Sequence, residues 1–540
     1  MAGPILAGVC FCILPVEYRS ADDENVSLAM AGRLTLAVMV WMAVWWLTET
    51  IHISVAALLP LVLLPTFQAA SMPDAAAPYA HPLIFLFMGG FLLALAMQRW
   101  GLDKRISLLT LRFVGTKPIN MVGGVMLATA VLSAFVSNTA TTAMMLPIAL
   151  SVIAIVQRNS DSDERAGKNF AICLLLGIAY AASIGGLATI IGSPPNALLV
   201  GFVNNTIAEP YRMEVSFARW MMIGLPLSVV FLPIVWLLLT RVLYPIRIRQ
   251  IDGGEKVIAS QLQELGPTKR GEWIVFIVFL FTAACWIFRP LLVNIELPLG
   301  DTSVVVFRGL TDPGIAMTGA LLLFVIPVDM QERQFVMDWE TAKQLPWGIL
   351  ILFGGGLSLA AAVQANGVAE FIGSQTRYFT GMPAIVLVLA VTTLVIFLTE
   401  LTSNTATTAT LLPVLAALAP GLGVHPYLLI FPAALSASCA FMMPVATPPN
   451  AIVFGSGELT IQQMIKAGLW LNLIGIVLVT LLAFMLLNLV LPLEPQRRVH
   501  AIEANDHAGF NRIRNEQFHA FYTIRSDTHD EGYEFTTSQG

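Results

Sequence analysis

Apolar stretches separated by short polar loops run along most of the chain. They cover residues 2–16, 32–48, 53–67, 82–98, 118–157, 169–203, 219–243, 273–288, an interrupted 304–327, 347–363, 378–424, 427–453 and 466–492. Several approach the roughly 20 residues that a helix needs to cross a bilayer. The pattern predicts an all-α polytopic membrane protein. Four stretches carry interruptions that a plain spanning helix would not keep. Residues 118–157 contain no charge, yet Ser137-Asn138-Thr139-Ala140-Thr141-Thr142 lies at their midpoint. Residues 403–408 repeat that phrase letter for letter. Gly192-Ser193-Pro194-Pro195-Asn196-Ala197 interrupts a second stretch, and Ala446-Thr447-Pro448-Pro449-Asn450-Ala451 interrupts its later counterpart. Proline has no N–H and clashes with the preceding turn, so each pair breaks its helix. Hairpins are expected at about 118–157 and 378–424, and broken helices at about 169–203 and 427–453.

The two halves register. Gly89, Gly90, Gln98, Gly101, Asn138 and Pro147 each recur 266 residues later, at Gly355, Gly356, Gln364, Gly367, Asn404 and Pro413. An ungapped match over nearly sixty residues points to duplication. Residues 99–117 form a basic loop with Arg99, Lys104, Arg105, Arg112 and Lys117, whereas the matching loop before Pro383 has only Arg377. Lys and Arg gather in cytoplasmic loops. Equivalent loops therefore fall on opposite faces and the repeat is inverted, a recurring plan among secondary transporters. The first half spans 1–243, a cytoplasmic linker 244–272, the second half 273–493, and residues 494–540 read as a soluble tail with eight acidic residues and five arginines.

Composition agrees. Of 540 residues 57% are hydrophobic and 12% charged, with a mean hydropathy of +0.77, against about 25% charged in soluble domains. The net charge of −5 gives no sign of a nucleic-acid partner. Five cysteines, an odd number, lie in apolar runs at no metal-binding spacing and read as buried small residues. Residues 2–16 lack a basic start and a clear cleavage site, so they read as a short first helix. Trp41, Trp45 and Trp46 suit an interfacial aromatic belt, and Glu49 an interfacial carboxylate at a helix end. No paired carboxylates, His-Glu motif or nucleophile–base pair stands out, so an enzyme is not expected.

The repeated phrases carry the chemistry. Ser, Thr and Asn offer both donors and oxygen acceptors. Helix breaks leave backbone N–H and C=O groups unpaired, which persist at membrane depth only if something satisfies them. N–H groups at helix N-termini favour anions, and oxygens suit a hard cation. None of the four loops holds Lys or Arg. A multivalent anion bound by neutral donors alone would leave a costly charge, and adjacent cations would offset it. Small residues also line helix contacts in membranes, but two identical copies at symmetric positions argue for one site.

At these phrases, and throughout residues 437–453 from Ala437-Ser438-Cys439 to Ala451-Ile452-Val453, the chain resembles the divalent anion:sodium symporter family of dicarboxylate, citrate and sulfate carriers. The resemblance covers roughly residues 1–493. It implies about eleven transmembrane helices plus two re-entrant hairpins, in a homodimer whose transport domain moves as an elevator. It implies at least two co-transported Na+ ions, one at Ser133, Ser137, Asn138 and Gly192, the other at Thr399, Thr402, Asn404 and Ala446. A small dianion would meet Ser137, Asn138, Thr139, Ser403, Asn404 and Thr405, with Ser193, Pro194, Thr447 and Pro448 lining the site. The expected activity is sodium-coupled symport of succinate, malate or fumarate, in the plasma (inner) membrane. A sodium-independent exchanger, a citrate or sulfate carrier and, from another class, an anion channel remain open alternatives.

Overall fold

The computed structural model describes all residues except 1, 20–23, 116, 160–163, 208–210, 249–253, 300–301, 306, 377–380 and 492–540. The expected tail therefore lies outside the described residues. The rest is helical, with three short antiparallel β-hairpins between helices. Among the described residues eight helices are long and apolar enough to cross a membrane, and six shorter apolar helices accompany them.

The first half runs α1 (Ala2–Ile13), α2 (Met30–Thr48), α3 (Pro82–Trp100), α4 (Leu102–Val114), α5 (Pro118–Ser133), α6 (Asn138–Asn159), α7 (Glu164–Gly186), α8 (Pro194–Thr206) and α9 (Phe217–Leu237). Then come α10 (Gly254–Leu265), α11 (Arg270–Leu292) and α12 (Asp312–Val325). The second half continues with α13 (Trp347–Ala365), α14 (Val368–Ser374), α15 (Ala384–Thr399), α16 (Asn404–Gly421), α17 (Tyr427–Ala437), α18 (Pro448–Phe454) and α19 (Ile461–Val490). Proline opens α3, α5, α8 and α18, where its missing N–H has no helical partner to lose.

Both expected hairpins are helix–break–helix units, α5–α6 and α15–α16. Both expected broken helices are interrupted where the prolines stand, α7–α8 and α17–α18. The core sits around α7, whose apolar window is 94% buried, while that of α11 is 22% buried and presents Trp273, Ile277, Phe281 and Phe288 outward. The repeats are interwoven. Helix α8 of the first packs on α16 and α17 of the second, and α18 of the second packs on α6 and α7 of the first.

Several local expectations change. The basic loop is the amphipathic helix α4, and the linker contains a second helix, α10, which packs on it. The Arg105 guanidinium of α4 holds Glu272 of α11 at 2.5 and 3.1 Å and the Gly266 carbonyl at 3.1 Å. Residues 53–67 make two short helices, Ile53–Ala56 and Leu59–Thr66. The interrupted 304–327 divides into a strand, Thr302–Val305, and α12. Trp46 does not face lipid or water as a belt residue would: it is fully buried and donates to the Ile53 carbonyl at 3.1 Å. Glu49 is an exposed left-handed cap of α2, as a helix-end carboxylate should be. All five cysteines are free; Cys173 and Cys439 are buried, whereas Cys12 is exposed.

The turn joining α16 to α17 is held by His425, whose Nδ1 accepts the Tyr427 N–H at 3.2 Å between the rings of Tyr211 and Tyr427. The Tyr427 hydroxyl accepts from the Met213 N–H (2.9 Å) and donates to its carbonyl (3.0 Å). Burial pushes the His425 imidazole down from 6.5 to about 4, so the fold favours the neutral ring. That contribution is present above about pH 6.5 and is lost as pH falls toward 4. Melting temperature should drop over this window, and His425→Phe, which keeps the ring contacts, should reduce the drop. An unchanged acid dependence in His425→Phe would assign it elsewhere.

Candidate functional site

At the first hairpin tip, α5 ends at Ser133 and α6 begins at Asn138. Ser133 Oγ lies 2.5 Å from Asn138 Oδ1 and 2.7 Å from the Ala182 carbonyl of α7. At the second tip Thr399 Oγ1 lies 2.6 Å from Asn404 Oδ1 and 3.0 Å from the Ala437 carbonyl of α17. Each hydroxyl has one proton and lies between a carbonyl oxygen and an asparagine side-chain amide. In the first cluster, turning the Asn138 amide would let its nitrogen donate to Ser133 Oγ (2.5 Å), Ala182 O (3.2 Å) and Gly192 O (3.2 Å). With its oxygen inward, the same atoms make an all-oxygen cage, the donor set a hard cation takes. Gly186 and Gly192 let the chains approach this closely. A Cβ on Gly186 would stand 2.8 Å from Asn138 Oδ1, and one on Gly192 2.6 Å from the Gly186 carbonyl.

The helix breaks are closed by the asparagine of each Pro-Pro-Asn phrase. Asn196 Nδ2 donates to Gly186 O and Thr189 O, both at 2.8 Å. Asn450 Nδ2 donates to Ala440 O (3.1 Å) and Met443 O (3.0 Å). Each amide thus satisfies two carbonyls in the chain leading up to its half-helix. The breaks are tied to the tips differently. In the first, the Thr189 hydroxyl donates to the Ala134 carbonyl. In the second, the residue matching Ala134 is Glu400, 3% exposed. Glu400 Oε1 accepts from the N–H groups of Phe441 (2.7 Å) and Met442 (2.9 Å) and from Asn472 Nδ2 (2.8 Å), and Oε2 from the Met443 N–H (3.0 Å).

The crossing of α8 and α18 between repeats brings the two breaks together, and Ser193 Oγ meets Ser438 Oγ at 3.1 Å. Ser133, Gly192, Ser193, Thr399, Ala446 and Thr447 are buried. Asn138, Pro194 and Thr402–Thr405 are half-buried, while Ser137, Thr139 and Pro448 are exposed. The structure joins Ser133 to Asn138, with Gly192 alongside, and Thr399 to Asn404. It does not bring the Thr402 side chain to Asn404. That hydroxyl is 2.9 Å from Leu398 O and 2.6 Å from Thr407 Oγ1, which leaves its carbonyl as the group available to a cation.

Sequence reasoning passed over Glu400, Asn472 and the roles of Asn196 and Asn450. A lone carboxylate amid the apolar run 378–424 was the available signal for Glu400. Asn205, which reads from sequence as a polar-loop residue, instead lies in the last turn of α8 and accepts from His81 Nε2 through Oδ1 at 2.6 Å.

Residues 25–491 match the family model described as the sodium:sulfate symporter transmembrane region. The chain belongs to the sodium:sulfate symporter family, the divalent anion:sodium symporters. It is 42% identical over 497 residues to the sodium-dependent dicarboxylate transporter SdcS of Staphylococcus saprophyticus, covering 92% of each chain. Identity to SdcS of Staphylococcus aureus is 39%, with the same coverage. Among solved structures, the YdaH transporter of Alcanivorax borkumensis shares the fold at a TM-score of 0.53 and 16% identity, over 92% of this chain and 98% of that one. MtrF of Neisseria gonorrhoeae does so at 0.51 and 13%, over 89% and 96%. Membership makes this protein a multi-pass membrane transporter rather than an enzyme.

Within this member of the family, Glu400→Ala would leave four donors without their acceptor. Leaving buried donors unpaired costs about 1–3 kcal/mol each, so the loss should reach ~3 kcal/mol or more. Glu400→Gln, which keeps one acceptor oxygen, should lose less. Thermal melting in detergent measures both, and a Glu400→Ala protein that melts with the parent would deny the carboxylate this role.

Proposed function

We propose that this protein is a sodium-coupled symporter of C4-dicarboxylates such as succinate, malate or fumarate, resident in the plasma membrane. The carrying observation is the duplicated tip. In both repeats a one-proton hydroxyl lies between a carbonyl oxygen and the side-chain amide of the asparagine that opens a helix. The oxygen-rich side suits Na+, and the helix N-terminus suits a carboxylate. Names borne by relatives at 39–42% identity favour the same substrate class.

On this reading one Na+ is held around Ser133, Ser137, Asn138 and Gly192, and a second around Thr399, Asn404, Ala446 and the Thr402 carbonyl. The two ions offset the charge of a dianion that no Lys or Arg of the four loops meets. Asn138, Thr139, Asn404 and Thr405 present donors to its carboxylates, with Ser137, Ser193, Pro194, Ser403, Thr447 and Pro448 around them. Cation binding thereby prepares the site for the anion, which is the physical basis of coupling. Alternation between faces proceeds as an elevator within a homodimer, the repeats exchanging roles through their inverted relation.

Radiolabelled succinate uptake into proteoliposomes tests this. Uptake should rise steeply with sodium, with a Hill coefficient above one; uptake unchanged when choline replaces sodium would sink symport and favour exchange.

The asparagines supply a second test. Asn404→Asp keeps size and an oxygen ligand, removes the amide donor, and sets a negative charge beside the anion in a poorly screened site. Uptake per folded protein should be abolished, and Asn138→Asp should behave alike. Asn294→Asp, at an exposed loop, is the matched control and should transport normally. Parent-like uptake by both tip variants would remove the site from these loops.

A further inference from the structure

The two repeats also differ at Ser193 and its equivalent, Thr447. Ser193 and Thr447 precede the half-helices α8 and α18 with nearly the same backbone, φ −146° and ψ 138° against φ −140° and ψ 148°. Thr447 caps its helix, its hydroxyl accepting the Asn450 N–H at 3.3 Å. Ser193 gives α8 no side-chain cap. Its hydroxyl reaches across 245 residues to Ser438 Oγ, 3.1 Å away, and both side chains are almost fully buried. Backbone geometry does not account for the difference, since it is shared. The partner does.

Each member of this pair is bonded through the chain to one of the oxygen clusters. Gly192, whose carbonyl faces the Asn138 amide, is the residue before Ser193. Ala437, whose carbonyl takes part in the Thr399–Asn404 cluster, is the residue before Ser438. The path Gly192–Ser193···Ser438–Ala437 therefore joins the clusters of the two repeats through a single hydrogen bond. Two hydroxyls supply two protons, and one bond between them uses only one. When Ser438 donates, the Ser193 proton is left free for an anion.

We infer that Ser438 is a positioning residue for substrate binding: it draws the Ser193 hydroxyl away from helix capping, orients it so that its proton is offered to a substrate carboxylate, and holds the two oxygen clusters in register. This rests on the dicarboxylate symport reading and adds to it a residue outside the tips and breaks that the sequence assigns to the site.

The experiment is sodium-driven succinate uptake by the full-length protein in proteoliposomes, with parent, Ser438→Ala, Ser438→Thr, Ser193→Ala and the Ser193→Ala/Ser438→Ala double variant. Losing one neutral hydrogen bond is worth about fivefold in affinity. Succinate KM should rise about fivefold in each alanine variant, with the maximal rate little changed. The double variant should be no worse than either single one, because the two act through one contact. Ser438→Thr, which keeps the hydroxyl, should recover the parental KM. Should Ser438→Ala fold poorly, Ser438→Cys, a near-isostere with a weak donor, should give an intermediate KM in folded protein. A parental KM in Ser438→Ala or Ser438→Cys, or KM effects that multiply in the double variant, would overturn this inference alone. A parent without sodium-driven uptake would overturn the symport reading, and this inference with it.

Discussion

Two amide groups make the rest of this structure possible. A helix broken inside a bilayer exposes carbonyls that lipid cannot solvate. Asn196 and Asn450 each place one Nδ2 between two such carbonyls, at separations in sequence that are the same in both copies. Prolines ahead of each asparagine enforce the break without adding another unpaired N–H. The break can then exist at low cost, and in the first repeat it delivers Gly192 to the tip.

Closing the breaks locally frees the half-helices to pack elsewhere. Each of α8 and α18 lies against helices of the opposite repeat, so the second half of one repeat completes the surroundings of the other's hairpin. Interweaving explains why the protein is one packed unit over 1–492 although its sequence is a duplication. It also makes room for asymmetry. Where the first repeat joins tip to break with a hydroxyl on a carbonyl, the second uses the Glu400 carboxylate on three successive N–H groups and the Asn472 amide. The second tip is thus held by a side chain that accepts four hydrogen bonds, the first by a single hydroxyl.

Much of this was legible in the chain. The hairpins, the breaks and the pairing of Asn138 with Asn404 follow from phrases that recur in register, because proline and small polar residues are conspicuous against an apolar background. Helices α4 and α10 were not, since their charged residues read as loop while the partners that make them helices are far away in sequence. Arg105 finds Glu272 only in the folded state. Trp46 reads as interfacial beside Trp41 and Trp45, yet burial against the Ile53 carbonyl depends on a turn that composition does not reveal. Asn205 reads as a neutral bystander and is bonded to His81.

The sequence by itself determined the class of protein, the number and place of the interruptions, and the residue types that could hold ions. These are local properties: hydropathy, proline stereochemistry and the polarity of short phrases act over a few residues each. Tertiary structure alone decided which oxygens share a proton, where the Thr402 hydroxyl turns, what Glu400 holds and that Ser193 meets Ser438. Those contacts span from 4 to 245 residues. They depend on the directions in which interwoven helices present side chains, and hydrogen bonds reward angles and distances that no linear pattern encodes.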